Sequence, residues 1–196
     1  MENTDRSLID AHLKGDPGAF GELVCRYGDS LLGYLTRICG NRQQAEDLFQ
    51  ETFRRVHEKA HTLRGKQFKS WLYTIATRLA IDGFRRRKQL GVVSLNQKLD
   101  CDGENCQEPG VAEVVDSCPD PSEEAIKAEQ KEQVRQALES LPEKQRITLI
   151  LAYYQGLGYR EIAEVMSCSI GTVKTQMYRA ARTLAQRLPD ISGVAK

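Results

Sequence analysis

Residues 159–182 read YREIAEVMSCSIGTVKTQMYRAAR, and this stretch near the C-terminus decides the class of protein. Its first part carries apolar residues at helical spacing, which the polar residues 167–169 interrupt. A second helix is predicted to begin at Ile170, with Ser169 as its N-cap. That helix is rich in hydrogen-bond donors and has the size of a B-DNA major groove. The stretch therefore predicts a helix-turn-helix that binds DNA.

The composition is that of a globular protein of one or two domains. Its 196 residues are 28% charged and 40% hydrophobic. No apolar run approaches the roughly 20 residues that a membrane-spanning helix needs. The acidic N-terminal sequence MENTDRSLIDAH lacks the apolar core of a signal peptide. We therefore expect a cytoplasmic protein whose six cysteines are reduced.

Charge is unevenly distributed along the chain. Residues 54–88 hold 11 Lys and Arg against 2 Asp and Glu, and residues 140–188 hold 7 against 3. Residues 99–124, between these two basic blocks, hold 9 Asp and Glu and no Lys or Arg. Two basic blocks separated by an acidic segment indicate two separate contacts with a polyanion.

Helical periodicity of apolar residues continues through most of the chain, and no strand pattern stands out. Asp16 and Pro17 supply a start signal for the first of these helices, and Gly40 begins its stop signal. Before the helix-turn-helix, the predicted helices cover residues 18–40, 42–57, 68–88, 121–140 and 143–155. The sequence therefore predicts an all-α protein.

Two segments interrupt the periodicity. HEKAHTLRGKQ (57–67) contains a glycine and is predicted to be a loop. Residues 89–122 combine glycine, proline and acidic residues, which is typical of a linker. The predicted architecture is two small helical domains, 1–90 and 125–189, joined by a flexible acidic linker, 91–124.

Two motif sets resemble a known family. LPEKQRITLILAYYQGLGYREIAEVMSCSIGTVKTQMYRAARTLAQRL (141–188) resembles the sigma-4 domain of bacterial sigma-70-type initiation factors, in particular the small extracytoplasmic-function (ECF) group. AEDLFQETFRRV (45–56) and FKSWLYTIATRLAIDGFRRRK (68–88) are similar to the sigma-2 domain of that group. The resemblance covers nearly the whole chain apart from the linker and both ends. Two motif sets in the right order are far more specific than a lone helix-turn-helix.

The resemblance implies a factor that binds core RNA polymerase, through its β and β′ subunits, and directs promoter-specific initiation. In the family, the helix matching residues 45–56 docks on a coiled coil of β′. The polymerase-binding residues that this implies are Asp47, Leu48, Gln50, Glu51 and Phe53. Leu48 and Phe53 are equally open to interpretation as core residues, because the same helix must bury one face.

The resemblance also implies that the following loop and helix contact the −10 promoter element. A loop that captures a flipped base needs a pocket and nearby cations, and Arg side chains along the helix suit phosphates. Many family members have Asn at the position of Arg78, so the −10 preference of this chain is open. Trp71 is favoured as a core residue, although aromatic side chains here could stack on bases. The implied −10 residues are Arg64, Lys66, Tyr73, Arg78, Arg85, Arg86 and Arg87.

In the sigma-4 domain, the second helix of the helix-turn-helix reads the −35 element. Lys and Arg would bind phosphates or guanine edges, and Gln176 could pair with adenine. The candidate −35 contacts are Thr172, Lys174, Thr175, Gln176, Arg179 and Arg182.

The resemblance implies no catalytic residues, cofactor or metal, because the polymerase makes the bonds. It implies an anti-sigma factor as a partner and no stable homo-oligomer. An alternative is a dimeric helix-turn-helix regulator that acts without sigma function on palindromic sites. A remote second alternative is a zinc hydrolase, because residues 57–61 match H-E-x-x-H. The predicted helix ends there, which disfavours the required i,i+4 geometry.

The cysteines are interpreted in two groups. Cys101, Cys106 and Cys118 lie in the predicted linker, and their spacing is weak as a metal motif. Incidental cysteines are favoured there over a redox or metal role. The other three, Cys25, Cys39 and Cys168, are predicted to be small core residues.

Overall fold

The computed structural model of the chain describes residues 4–63, 67–89 and 121–188, with side chains from residue 129 onward in the last range. Every regular element in these ranges is helical, which confirms the all-α class. The helices are α1 Asp5–Leu13, α2 Pro17–Cys39, α3 Arg42–Lys59, α4 Phe68–Gln89, α5 Pro121–Glu139, α6 Glu143–Tyr153, α7 Tyr159–Val165 and α8 Ile170–Arg187. A short 3₁₀ turn, Ala60–Thr62, follows α3.

Local signals in the sequence set the ends of α2 and α3. Asp16 Oδ1 accepts a first-turn amide proton of α2 at 2.9 Å, and Pro17 occupies the first turn, where its missing N–H is not needed. Gly40 ends α2 at φ +67°, a left-handed conformation that glycine adopts without strain. Asn41 then caps α3 by accepting an amide proton at 3.1 Å. The predicted start and stop signals are confirmed.

Two elements near the N-terminus differ from the sequence prediction. The periodicity did not predict α1, because Leu8 and Ile9 are its only buried residues and two positions are too few for a period. Helix α3 continues to Lys59, past the predicted end at His57. Arg54 pairs with Glu51 and Glu58 at i,i+3 and i,i+4 spacing, and such pairs stabilise the last helical turn.

Several sequence predictions fall on residues outside the described ranges. These are most of the linker 91–124, the loop residues Arg64 and Lys66, and the cysteines Cys101, Cys106 and Cys118. They stay predictions.

Helix α2 is the centre of the N-terminal half, where it packs on α1, α3 and α4. Its fully buried side chains are Leu23, Leu31, Tyr34, Leu35 and Ile38. In the C-terminal half, α6 and α7 pack on α8. The fully buried side chains there include Ile147, Ile150, Leu151, Ile162 and Val173.

The two halves are in contact. Helix α2 packs on α6, and α4 packs on α7. Buried residues of all these helices form one continuous hydrophobic cluster. Because the described helices share one core, that core does not mark a boundary between domains. The domain boundaries predicted from the sequence therefore stay a prediction.

Two further observations concern surface and solvent. Cys25 is exposed, so its prediction as a core residue is wrong; it lies on the outer side of α2, whereas Cys39 and Cys168 are partly buried. Among the described helices, none combines the length and the apolar character that crossing a bilayer requires.

Candidate nucleic-acid interface

Helices α7 and α8 form the predicted helix-turn-helix. Glu161 Oε2 accepts the Gly158 amide proton at 2.8 Å at the start of α7. In the turn, Ser167 adopts a left-handed conformation at φ +52°, and the Cys168 amide donates to the Ala163 carbonyl at 2.9 Å. Ser169 then caps α8, as predicted, by accepting the Thr172 amide proton at 3.1 Å.

Helix α8 has one buried and one exposed face. Val173, Met177 and Ala180 are buried against the rest of the C-terminal half. On the opposite face, Thr175 and Arg182 lie two turns apart and are exposed. This face is exposed to solvent, as the face of a helix that enters a major groove must be.

The six candidate −35 residues differ in solvent exposure. Thr172, Lys174, Thr175, Arg179 and Arg182 are exposed, whereas Gln176 is half-buried at the margin of the buried face. The Thr175 hydroxyl donates to the Gly171 carbonyl at 2.9 Å. Because that proton is already used, the hydroxyl can offer only its lone pairs to DNA.

Sequence reasoning missed Tyr178 on the same face. Its side chain is 68% exposed and lies between Thr175 and Arg182 along the helix. An exposed aromatic residue opposite the Val173–Met177 stripe is visible in the helical spacing, so the signal was available.

Helix α4 presents a second basic face. Arg78 and Arg85 are exposed and lie seven residues apart, which places them on one side of the helix two turns from each other. Trp71 lies seven residues before Arg78 and is half-buried at the end of the same line. Asp82 lies 3.8 Å from Arg85 and moderates the positive charge. Arg86 is exposed beside this line.

Two other candidate −10 residues lie elsewhere. Arg87 lies opposite the Arg78–Arg85 line, donates a hydrogen bond to Gln44 of α3 and stacks 5.0 Å above the Phe84 ring. Tyr73 is fully buried, and burial raises the pKa of its phenol to about 12. In this arrangement neither side chain faces solvent as Arg78 does.

The candidate polymerase-binding residues on α3 also divide. Asp47 and Gln50 are exposed and Leu48 is half-buried. Phe53 is only 6% exposed, and its ring packs 5.0 Å from that of Phe49. The structure thus places Phe53 in the core, while Asp47 and Gln50 remain open to a partner.

Glu51, the fifth of these candidates, is paired within its own helix. Its carboxylate accepts hydrogen bonds from Arg54 at 2.7 Å and from Arg55 at 2.8 Å. These hydrogen bonds lower the pKa of Glu51 to about 2. A partner would therefore meet a charge that two guanidinium groups already balance.

The H-E-x-x-H stretch is divided between two elements. His57 lies in the last turn of α3, and His61 lies in the 3₁₀ turn. The His57 ring packs 4.8 Å from that of His12 and 5.3 Å from that of Phe20. Burial and the neighbouring His57 lower the pKa of His12. Within the described ranges, no group of three or more His, Cys, Asp and Glu side chains could hold a metal ion.

Comparison with known families matches both halves of the chain. The family model for sigma-70 region 2 matches residues 23–89, and the model for sigma-70 region 4 matches residues 131–184. The first range contains α4 with its Arg78–Arg85 line, and the second contains the helix-turn-helix.

Whole-length relatives and a solved structure agree with these matches. The chain is 30% identical to the ECF RNA polymerase sigma factor SigW of Bacillus subtilis, over 97% of this chain and 100% of the relative. It is 29% identical to the RNA polymerase sigma-H factor of Pseudomonas aeruginosa, over 97% and 96%. Its fold resembles that of the sigma factor RpoE, solved in complex with the anti-sigma factor NepR from Bartonella quintana. The TM-score is 0.66, with 22% identity over 87% of this chain and 97% of that chain.

Proposed function

Since the chain belongs to the ECF group of the sigma-70 family, we propose that it binds core RNA polymerase and directs initiation at promoters with specific −35 and −10 elements. The observation that carries the proposal is a pair of outward basic faces, one on α8 and one on α4. Each face lies in a segment that matches a different sigma-70 region.

Helix α8 is the proposed −35 reader. Arg179 and Arg182 are exposed on the side of α8 away from its buried stripe, where guanidinium groups can reach phosphates or guanine edges. The exposed Tyr178, directly before Arg179 in the chain, adds an aromatic surface for contact with base methyl groups or sugars. Thr172, Lys174, Thr175 and Gln176 complete the proposed contact set.

Helix α4 is the proposed −10 reader. The line formed by Trp71, Arg78 and Arg85 offers a partly exposed aromatic ring followed by two cations. Stacking and backbone neutralisation are the interactions that hold single strands. Trapping unpaired bases on such a line melts the duplex without nucleotide hydrolysis, so the protein contributes binding and the polymerase contributes the chemistry. Arg64 and Lys66 belong to the proposed contact set through the family resemblance.

Helix α3 is the proposed docking site for polymerase, through Asp47, Leu48 and Gln50, with Glu51 as a charged neighbour. The relative RpoE was solved with an anti-sigma factor, and we propose that this chain has such a partner too. The place of action is that of the polymerase, in the cytoplasm.

Run-off transcription tests this function. The purified chain is added to sigma-free bacterial core polymerase on linear DNA that carries promoters of its host. We expect discrete transcripts that require both the chain and the core enzyme, with start sites that define the −35 and −10 elements. If core polymerase neither binds the chain nor gains a start site, the proposal is wrong.

A matched pair of variants assigns the −35 contact. Arg182→Ala removes a charge from the exposed face of α8 and is expected to reduce run-off product at least tenfold. Arg187→Ala removes the same charge five residues on, about 140° round the helix, and is expected to leave transcription near the unmodified level. Equal loss in both variants would contradict base or phosphate contact through the Arg182 face.

A further inference from the structure

Two histidines from different helices lie side by side in the N-terminal half. His12 is in the last turn of α1, and His57 is in the last turn of α3. Their ring centres are 4.8 Å apart and their ring planes are tilted by 49°, so the imidazoles are not stacked face to face. His12 is half-buried and His57 is exposed, so a small ion can reach the pair from solvent.

The Phe20 ring on α2 holds both imidazoles in place. Its centre lies 4.9 Å from that of His12 and 5.3 Å from that of His57. Phe20 also packs edge-on against the buried Phe53 ring at 6.2 Å. A ring that is anchored on the core thus fixes the positions of two nitrogen-bearing side chains, and such support preorganises a ligand pair.

The distance between the rings suits two ligands of one metal ion. Imidazole nitrogens bind Zn²⁺ at about 2.0–2.1 Å, so two imidazoles on one ion have ring centres about 4.5–5.2 Å apart for angles of about 90–110° at the metal. The distance of 4.8 Å between His12 and His57 lies in this range. A half-turn about the Cβ–Cγ bond exchanges the nitrogen and carbon edges of an imidazole, so the ring positions are the constraint that the fold must meet.

The electrostatic surroundings also favour a bound cation. Both histidines lie at helix C-terminal ends, where the helix dipole places partial negative charge. A metal ligand must be a neutral imidazole, and burial together with His57 lowers the pKa of His12 below its ordinary value of 6.5. Lys14 and Lys59, near the same helix ends, are exposed, so solvent and salt screen their charge.

The ligand set indicates the class of metal. Imidazole suits Zn²⁺, Cu²⁺ and Ni²⁺, whereas Mg²⁺ and Ca²⁺ prefer oxygen ligands. In the part of the chain that the structure describes, no third His, Cys, Asp or Glu completes a group of three, so water is expected at the remaining coordination positions. Two protein ligands hold an ion less firmly than the four of a structural zinc site. The pair therefore predicts an exchangeable ion.

We propose that His12 and His57 bind one divalent transition-metal ion of this class, which bridges α1 to α3. The ion stabilises the C-terminal end of α1, a helix whose only buried residues are Leu8 and Ile9. The ion pair of Asp5 lies at the opposite end of α1 and leaves that need unmet. The inference does not rest on the proposed function.

Calorimetric titration of the full chain with Ni²⁺ tests the ligand pair. We expect His12→Gln and His57→Gln each to weaken Ni²⁺ binding at least tenfold, because each leaves a single imidazole at the site. His61→Gln, which replaces the third histidine of the chain, is the matched control and should change the affinity less than twofold. All three variants keep the six cysteines, so any binding of nickel to thiols is common to them.

Hydrogen exchange of the amides in residues 5–13 tests the bridge. Saturating Ni²⁺ is expected to slow exchange in α1 at least threefold in the unmodified chain, because opening of α1 must then break a metal–imidazole bond. His57→Gln leaves the sequence of α1 unchanged and is expected to abolish this slowing. Circular dichroism of each variant checks that the helices are intact.

The two measurements have outcomes that would overturn the proposal. Equal Ni²⁺ affinity in the unmodified chain and in folded His12→Gln would exclude His12 as a ligand. Loss of binding in His61→Gln but not in His12→Gln would assign the ion to His57 and His61, and the bridge to α1 would be wrong. Nickel bound through His12 and His57 without slower exchange in α1 would show that the ion does not stabilise that helix.

Discussion

The N-terminal and C-terminal halves place their DNA-facing residues in different ways. In the C-terminal half, α8 divides cleanly into a buried stripe and an exposed face, so helical spacing separates core residues from candidate contacts. In the N-terminal half, α3 and α4 are packed on more than one side, and candidates such as Phe53 and Tyr73 are buried. A helix that packs on several neighbours therefore hides the role of individual residues from sequence reasoning.

The halves also differ in how their helices are held. The C-terminal half has a smaller buried core, and capping contacts such as that of Ser169 hold the turn of its helix-turn-helix. The N-terminal half relies on a larger apolar core and on ion pairs along α3. Substitutions that remove a cap, a core side chain or an ion pair test whether the two halves unfold independently.

The largest expected effect tests whether the halves unfold together. Leu35 and Ile150 are both fully buried, one in each half. Leu35→Ala and Ile150→Ala should each lower the free energy of unfolding by about 2–5 kcal/mol, because each leaves a cavity. Urea unfolding is followed by circular dichroism for all helices and by the fluorescence of Trp71, the one tryptophan of the chain, which lies on α4 in the N-terminal half.

If the shared core makes the chain cooperative, the two probes give coincident transitions in both variants. Leu13→Ala, at a half-exposed position, serves as the control and should change stability by less than about 0.5 kcal/mol. A fluorescence transition that Ile150→Ala leaves in place would show that the halves unfold separately.

Substitutions of Phe53 and Gln50 distinguish a core residue from a candidate polymerase contact on the same helix, α3. Phe53→Ala should lower the free energy of unfolding by about 3 kcal/mol, because the ring is buried against Phe49. Gln50→Ala should change it by less than about 0.5 kcal/mol and should weaken binding to core polymerase. Urea unfolding and a core-binding titration measure both properties. A stable Phe53→Ala variant with lost core binding would place Phe53 at the interface instead.

On α4, substitutions of Arg87 and Arg85 distinguish a residue that stabilises the fold from a candidate DNA contact. Arg87→Ala should lower the free energy of unfolding by about 1–2 kcal/mol, because it removes the hydrogen bond to Gln44. Arg85→Ala should leave stability nearly unchanged, weaken promoter binding by the holoenzyme and reduce its salt dependence by roughly one phosphate contact. Thermal unfolding and promoter binding at several salt concentrations distinguish them. If Arg87→Ala affected only the salt dependence, Arg87 would belong to the DNA face.

Sequence reasoning predicted most of the architecture, because its signals are local. The cap at Asp16, the stop at Gly40 and the start at Ile170 are set by residues within one turn, and the structure has all three. The period of α8 predicted its exposed face for the same reason. The continuation of α3 to Lys59 was missed because it depends on side-chain pairs that hydrophobic periodicity does not register.

The contact between the halves could not be predicted in this way. Ser30 and Gln155 lie 125 positions apart in the chain and hydrogen-bond across the contact. Gln155 lies within the motif stretch 141–188, but the resemblance assigns no role to it or to Ser30, and nothing in the sequence near either one indicates the other. The burial of Tyr73 could not be predicted for the same reason, because its ring packs 5.1 Å from that of Tyr34 on α2 and its hydroxyl bonds to the distant Gln155. The spacing of residues along the sequence therefore does not predict hydrogen bonds between side chains that are far apart in the chain.

Substitutions of Ser169 test how much the N-cap of α8 stabilises the C-terminal half. Ser169→Ala removes the acceptor of the Thr172 amide proton and should lower stability by about 1 kcal/mol. Ser169→Asp keeps an acceptor at the same position and should restore most of the loss. Thermal unfolding of the two variants gives the comparison. Equal melting temperatures for both would show that the cap contributes little and that packing of α8 holds the turn.

The smallest effect concerns the ion pairs of α3 and depends on pH. Hydrogen bonds from Arg54 and Arg55 lower the pKa of Glu51 to about 2, from an ordinary value of 4.5. Because the folded-state pKa is the lower one, this carboxylate stabilises the fold above pH 4.5, and its contribution is lost as the pH falls toward 2. The Glu51 side chain is partly accessible to solvent, which screens its charge, so the effect at neutral pH is small.

Glu51→Gln should therefore lower the melting temperature by about 1 °C at pH 7 and by progressively less as the pH falls below 4.5. Glu164→Gln, an exposed carboxylate on α7 in the other half, is the charge-matched control and should not reproduce that convergence. Melting curves between pH 2.5 and 7 at low salt measure the difference. If the Glu51→Gln offset stayed constant across this range, the ion pairs would not stabilise α3. The extension of that helix to Lys59 would then need another cause.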